Sequence, residues 1–131
     1  MRSRGLRNCN PGNIRISNIK FKGEVISNDK SFKQFKSIAY GYRAMMKIIK
    51  YYYNHYNLKT LEEIIDRWAP PTENNTSAYV LVVQRETGIQ KDSEVYVDDK
   101  STLTSVVAAM SLVENGVKAD INEVLKGWDL L

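Results

Sequence analysis

The longest regular hydrophobic pattern in the chain predicts an amphipathic helix from Ile38 to Tyr56. Apolar and aromatic residues recur there mostly at steps of three or four positions, the spacing that places side chains on one face of an α-helix. They are Ile38, Tyr42, Met45, Met46, Ile49, Tyr52, Tyr53 and Tyr56. We interpret the Tyr51–Tyr53 run mainly as packing at the core and its rim, with a platform for sugar rings as the alternative.

Four shorter helices are predicted after the long one, because each has an apolar stripe between a capping residue and a terminating signal. Thr60 and Glu63 form a capping-box pattern at the start of the first, and Pro70 ends it. Asn75 or Thr76 caps the next. By the same reasoning the four helices span residues 60–69, 75–88, 101–116 and 120–128.

The first 35 residues lack a helical period. Residues 1–12 are rich in Arg, Asn and Gly and are interpreted as a loop with one Pro-Gly turn. From Asn13 to Phe35, short apolar pairs alternate with polar turn sequences, which predicts a small antiparallel sheet of two or three strands. No repeat, low-complexity segment or linker divides the chain. The prediction is a single α+β domain over residues 1–131, with a small N-terminal antiparallel sheet and four or five helices.

Composition adds several exclusions. Of 131 residues, 43% are apolar and 26% are charged, which is typical of a folded domain. Cys9 is the only cysteine and His55 the only histidine, so neither an internal disulfide nor a Cys/His metal site can form. No metal or organic cofactor is predicted. No apolar run approaches the ~20 residues of a membrane span, and the basic N-terminus lacks the apolar stretch of a signal peptide.

Charge is distributed unevenly along the chain. The first 50 residues hold twelve Lys or Arg and two acids, whereas residues 51–131 hold seven and thirteen. A basic half of this strength favours a polyanionic partner, either nucleic acid, an anionic wall polymer or lipid head groups. A solvated surface that only maintains solubility is the alternative. Nucleic acid is the least favoured of the partners, because no nucleic-acid-binding motif is present.

Two carboxylates are candidates for chemistry. Glu114 is the last charged residue of a predicted helix, where the helix dipole disfavours its ionised form and suits a proton donor. An ordinary surface glutamate is the alternative. Glu73 lies in a stiff loop after two prolines, where capping or orienting the loop is favoured over catalysis.

Four segments together resemble motifs of a family of small phage virion-associated and prophage proteins with a lysozyme-like domain. The segments are Arg7–Arg15 (RNCNPGNIR), Phe35–Ala44 (FKSIAYGYRA), Ile64–Tyr79 (IIDRWAPPTENNTSAY) and Glu114–Gly116 (ENG). They occur in the family's order and span most of the chain. The motifs are specific for the family and less specific for an activity.

The resemblance implies a lysozyme-like fold in which the helix ending at Glu114 comes from the far end of the chain, as in a circular permutation. It implies cleavage of peptidoglycan glycan strands by a lytic transglycosylase, muramidase or glucosaminidase mechanism. Glu114 would be the proton donor and Glu73 a second catalytic carboxylate. The substrate-binding candidates are Tyr79, Asn74, Asn13, Arg15 and Arg43.

The resemblance also implies a location in the phage virion, or in the host cytoplasm after synthesis, with action at the bacterial cell wall. The partners would be glycan strands and other virion proteins. A non-catalytic virion or tail protein that keeps the fold and binds the wall is the alternative from a different class. A nucleic-acid-binding accessory protein is a weaker third interpretation.

Two positions depart from the family pattern. Ala39 stands where an acidic residue is common, and Phe21 stands where tryptophan is frequent. We do not take the position of Ala39 as that of the proton donor. We expect the C-terminal end of the Glu114 helix to pack against the sheet that is predicted within Asn13–Phe35, and Trp68 to be largely buried.

Overall fold

Within residues 2–131, the fold consists of six helices and one two-stranded sheet. The computed structural model describes residues 2–131. In chain order the elements are α1 (Arg4–Arg7), β1 (Glu24–Val25), β2 (Gln34–Phe35), α2 (Ile38–His55), α3 (Leu61–Trp68), α4 (Thr76–Thr87), α5 (Lys100–Asn115) and α6 (Ile121–Asp129). The predicted α+β class and the small N-terminal antiparallel sheet are confirmed. The lysozyme-like architecture stays a prediction.

The first helix corrects the sequence prediction, which treated residues 1–12 as a loop and counted four or five helices. The Ser3 hydroxyl caps α1 by accepting a hydrogen bond from the Leu6 backbone N–H at 3.3 Å. A helix of one turn is too short to show a hydrophobic period, so no amphipathic pattern marks it in the sequence.

The sheet occupies little of the 13–35 segment, which we call the N-terminal lobe. β1 and β2 pair antiparallel, with Glu24 opposite Phe35 and Val25 opposite Gln34. An isolated bridge between Arg15 and Phe32 extends the pairing. Most of the lobe is turn and irregular backbone, so its order depends on side-chain contacts more than on a hydrogen-bonded ladder.

Lys33 provides the main polar contacts inside the lobe. Its side chain has no exposed surface, and its Nζ donates to the Ser17 and Ile19 carbonyls at 3.2 and 2.7 Å and to the Glu24 carboxylate at 3.0 Å. Burial disfavours the ionised form of Glu24. The Phe21 backbone N–H and the Lys33 ammonium outweigh that effect, so the pKa of Glu24 lies below its ordinary value.

The helices supply most of the hydrophobic core. α6 packs along α2, and α4 packs along α5. Within residues 2–131, no helix is long and apolar enough to cross a membrane. The residues of this core that have no exposed surface are Tyr42, Met45, Met46, Ile49, Leu61, Ile64, Ile65, Val83, Val95, Leu103, Val106, Val107, Met110 and Val124.

Capping residues define the helix ends largely as predicted. Thr60 and Glu63 form the capping box of α3, and Asn75 accepts a hydrogen bond from the third residue of α4. Gly88 and Gly116 end α4 and α5 in the left-handed conformation, which glycine adopts without steric strain. α5 begins earlier than predicted, at Lys100, because an aspartate caps it.

Two buried positions bear on the sequence expectations. Trp68 packs against the core and is partly buried, whereas the sequence prediction had it largely buried. Ala39 is 5% exposed and lies where α2 meets α6, since a Cβ on Gly127 would come within 2.9 Å of its carbonyl oxygen. Ala39 is therefore a packing residue between two helices.

Gly41 allows α2 to approach the loop that precedes the lobe, and Gly41→Ala should destabilise the protein. A Cβ at this position would clash with the Cys9 carbonyl oxygen and lie 2.5 Å from Pro11 Cδ. Alanine gains about 1 kcal/mol of helix propensity, but overpacking against backbone costs about 1–3 kcal/mol or more. We expect a net loss of about 2 kcal/mol in the free energy of unfolding, measured in urea, because a Cβ so close to backbone atoms places the cost at the upper end of that range. Asn54→Ala, at an exposed position of the same helix, is the control. A stability equal to that of the unaltered protein would contradict the close contact.

Candidate functional site

The structure brings Glu114 together with two residues from distant parts of the chain. Glu114 lies in the last turn of α5 and is partly buried. Its Oε1 accepts a hydrogen bond from Asn13 Nδ2 at 3.0 Å, and its Oε2 accepts one from the Tyr79 hydroxyl at 3.0 Å. We call these three residues the Glu114 cluster. The end of α5 thus contacts Asn13 at the start of the N-terminal lobe, whereas the predicted packing of that end against the strands stays a prediction.

Asn115 attaches the end of α5 to the N-terminal segment. Its Nδ2 donates to the Pro11 carbonyl at 2.8 Å and to the Ser111 carbonyl at 3.0 Å. The Ser3 hydroxyl donates to Asn115 Oδ1 at 2.6 Å. Since these bonds join the residue next to Glu114 to the Pro-Gly turn, they fix the position of the carboxylate relative to Asn13.

Asn10 fixes the turn from the other side. This residue is fully buried, and its Oδ1 accepts from the Ile14 N–H at 2.9 Å. Its Nδ2 donates to the carbonyls of Ile14 and Lys33 at 3.0 and 2.9 Å. Sequence reasoning selected neither Asn10 nor Asn115 as a functional residue. No signal in the sequence could have identified them, because their partners are mostly backbone groups.

Asn13 holds its position at an energetic cost. Its backbone φ is +50°, in the left-handed region that non-glycine residues seldom occupy. Its Oδ1 is buried and has no hydrogen-bond partner within residues 2–131. Strained backbone and unpaired buried polar atoms concentrate at functional sites, where the surrounding structure maintains them. In this conformation the Asn13 side chain donates a hydrogen bond to Glu114.

Tyr79 lies beneath the carboxylate and is only 6% exposed. Burial, followed by the charge and the hydrogen bond of Glu114, raises the pKa of Tyr79 well above its ordinary value. Tyr79 is therefore a neutral phenol that donates to Glu114, with the Met110 carbonyl as a second acceptor 3.5 Å from the hydroxyl. The structure places it as a support for Glu114. Its predicted contact with substrate stays a prediction.

The other predicted site residues lie outside the Glu114 cluster. Glu73 and Asn74 are exposed on the loop between α3 and α4, where Asn74 Nδ2 donates to the Pro70 carbonyl at 3.3 Å. Arg15 is exposed beside the Phe32 ring. Within residues 2–131, neither Glu73 nor Asn74 forms a hydrogen bond with Glu114. Their proposed roles stay predictions.

Arg43 is engaged in the packing of helices. It is half-buried on α2, and its Nε donates to the Leu130 carbonyl at 3.0 Å. The bond joins α2 to the residue that follows α6. The predicted substrate contact of Arg43 stays a prediction.

The Glu114 cluster is suited to holding or transferring one proton. A carboxylate has about four lone-pair positions, and the two observed donors leave the remainder available to a proton or a ligand. The cluster has one carboxylate and no cationic side chain. In the part of the chain that the structure describes, no group of three His, Cys, Asp or Glu side chains could hold a metal ion.

Comparison with known proteins places the chain in a phage family. No family model matches the sequence. Protein P5 of Pseudoalteromonas phage PM2 is 36% identical over 132 residues, a match that covers 97% of this chain and 81% of that protein. Identity of this level over nearly the whole chain shows a shared family. The chain therefore belongs to the family of phage proteins that includes Protein P5 of Pseudoalteromonas phage PM2.

Proposed function

We propose that this protein cleaves the glycan strands of peptidoglycan and that Glu114 donates the proton to the glycosidic oxygen. The observation that carries the proposal is the Glu114 cluster itself, because Asn13 and Tyr79 both donate to one partly buried carboxylate. Each of the three residues comes from a different segment that resembles lysozyme-like phage proteins. Three motifs separated by up to 101 positions thus converge on one acid.

The cost of the Asn13 conformation favours a functional role over a purely structural one. Asn13 combines a left-handed backbone with a buried oxygen that has no hydrogen-bond partner within residues 2–131, and strained or unsatisfied groups concentrate at functional sites. In this conformation the Asn13 amide Nδ2 donates to Glu114 Oε1. This orientation leaves one carboxylate at a defined place beside the N-terminal lobe, as general acid catalysis requires.

A single carboxylate favours a lytic transglycosylase over a hydrolase with two carboxylates. In that mechanism Glu114 gives its proton to the glycosidic oxygen as the bond from that oxygen to the anomeric carbon breaks. A hydroxyl group of the same sugar then bonds to the anomeric carbon, and its proton returns to Glu114. Tyr79 and Asn13 hold the carboxylate throughout. No water is consumed, and the product contains an internal anhydro sugar.

We place this activity in a phage protein that is carried in the virion or made in the host cytoplasm and that acts at the cell wall. Other virion proteins would then be its partners. The basic first 50 residues, with twelve Lys or Arg against two acids, favour attraction to an anionic wall.

A non-catalytic virion protein that binds the wall is the second candidate. The observation that favours it is that both oxygens of Glu114 are already bonded, so the cluster also joins α5 to α4 and to the N-terminal segment. A structural connection of this kind needs no substrate.

The two candidates are distinguished by incubation with purified peptidoglycan. We expect soluble fragments whose masses are one water lower than those of hydrolysis products. Fragments with ordinary reducing ends would contradict the single-carboxylate mechanism and make Glu73 the first candidate for a second catalytic acid. No release of fragments across a range of pH and salt would leave the non-catalytic virion protein as the function.

A further inference from the structure

An open cleft of about 780 Å³ lies between α2 and the N-terminal lobe. Residues of α2 form much of its lining, and the lobe and α3 contribute the rest. The cleft is distinct from the Glu114 cluster, none of whose three residues lines it. Six basic side chains do line it, with no acidic one: Lys20, Lys22, Arg43, Lys47, Lys50 and Arg67.

Half of these cations are available to a ligand. Lys20 pairs with Glu24 at 3.5 Å, and Lys50 pairs with Asp98 at 3.0 Å. Arg43 donates to the backbone after α6. The other three are exposed, and in the described part of the chain no acidic side chain lies in salt-bridge distance of them: Lys22, Lys47 and Arg67. Three cations without an acidic partner on one concave surface attract an anionic ligand.

Aromatic rings accompany the charges. Tyr51 and Tyr56 both line the cleft and are 48% and 47% exposed. Tyr51 stacks on His55 with ring centroids 4.1 Å apart, and the Arg67 guanidinium lies 4.7 Å from the centre of the Tyr56 ring. The rings are therefore held in place before a ligand arrives. One face of each is already covered, so the pair is poorly suited to enclosing nucleic-acid bases between rings.

The cleft adjoins the proposed catalytic centre through one peptide bond. Ile14 lines the cleft, and the preceding residue is Asn13, whose amide donates to Glu114.

We propose that this cleft binds the acidic, peptide-bearing part of a peptidoglycan strand. Lys22, Lys47 and Arg67 pair with carboxylates of the peptide stems, and Tyr51 and Tyr56 contact sugar rings. The identity of the polymer rests on the proposed function, whereas the preference for an anionic ligand rests on the lining of the cleft. A neutral glycan such as chitin would gain nothing from the three cations, so the cleft determines specificity for the charged wall.

The test uses binding, separately from cleavage. Glu114→Gln protein is mixed with purified peptidoglycan, with the same peptidoglycan after chemical amidation of its carboxyl groups, and with chitin. We expect amidation to weaken binding at least tenfold, and chitin to bind no better than the amidated material. Raised salt should also weaken binding, because it screens the attraction between the cations of the cleft and the carboxylates of the peptide stems. Equal binding to native and amidated peptidoglycan would overturn the proposal. This comparison requires no substitution in the cleft.

A matched pair of triple variants assigns the binding to the cleft. Lys22→Gln with Lys47→Gln and Arg67→Gln should weaken binding to native peptidoglycan about tenfold. The control is the triple glutamine variant at exposed lysines outside the cleft, which changes the net charge equally: Lys30, Lys91 and Lys118. Melting temperatures of both variants are measured alongside.

Equal weakening by the two variants would show that overall charge acts and the cleft does not. Tighter, cleft-dependent binding of single-stranded DNA would overturn the proposal in favour of nucleic acid. Fragment release by the unaltered protein is the separate readout for cleavage. If binding depends on charge but no fragments are released, the proposed catalysis is contradicted and the binding role of the cleft is kept. If fragments are released but binding does not depend on charge, the binding role of the cleft is contradicted and the proposed catalysis is kept.

Discussion

Glu114→Gln should lower the rate of peptidoglycan cleavage by about 10²–10⁴-fold while the protein keeps its fold. Glutamine has nearly the same shape as glutamate but has no acidic proton to donate. Its oxygen can accept from Asn13, and its amide can donate to the Tyr79 hydroxyl, which then turns toward the Met110 carbonyl 3.5 Å away. The hydrogen bonds of the cluster are thereby preserved. The rate of fragment release and the melting temperature are measured on the same preparation.

Glu73→Gln is the control for this variant. Glu73 is exposed on the loop between α3 and α4 and, within residues 2–131, forms no hydrogen bond with Glu114, so its replacement should change the rate by a small factor. Equal rates for the unaltered protein and Glu114→Gln would show that Glu114 is not the proton donor. A large loss in Glu73→Gln alone would transfer that role to Glu73. A loss in Glu114→Gln accompanied by a much lower melting temperature would indicate a structural role.

The helical part of the fold could be predicted because its information is local. In α2 the apolar residues between Ile38 and Tyr52 repeat with the helical period, and in α3 the residues Thr60 and Glu63 make a capping box that needs only four positions to be recognised. Such signals depend on neighbours along the chain. α1 was not predicted, because a helix of one turn is too short to show a hydrophobic period.

The Glu114 cluster could be predicted only in part. Motif resemblance singled out Glu114, Asn13 and Tyr79, but no periodicity connects residues as far apart as Asn13 and Glu114. The amide side chains that support the cluster, Asn10 and Asn115, were missed. Their partners are backbone carbonyls and N–H groups whose positions exist only after the chain has folded, so a polar residue in a loop gives no sign of such a role.

Lys33 was also hidden in the sequence, and its replacement should have a large effect on stability. In a basic segment a lysine between two phenylalanines is ordinarily exposed, yet this one is buried with three partners. Lys33→Met removes the donor of the Ser17 and Ile19 carbonyls and leaves the largely buried Glu24 with only the exposed Lys20 as an ammonium partner, 3.5 Å away. Breaking a buried pair on one side costs about 3–5 kcal/mol. The free energy of unfolding in urea is the measurement, with hydrogen exchange of residues 14–33 to detect local opening of the lobe.

A second substitution separates the buried pair from the rest of the loss. Lys33→Met combined with Glu24→Gln removes both charges, so it should recover part of the stability lost in Lys33→Met alone.

The pKa of Glu24 is lowered from 4.5 in the folded protein, so its stabilising effect is present above that pH and is lost as the pH falls through the folded value. Lys33→Met removes one cause of the shift and should make stability less dependent on pH in that range. Lys30→Met, at an exposed neighbouring position, should stay within about 0.5 kcal/mol of the unaltered protein. If Lys33→Met did the same, the buried ammonium would contribute no net stability, and the lobe would depend on its remaining contacts.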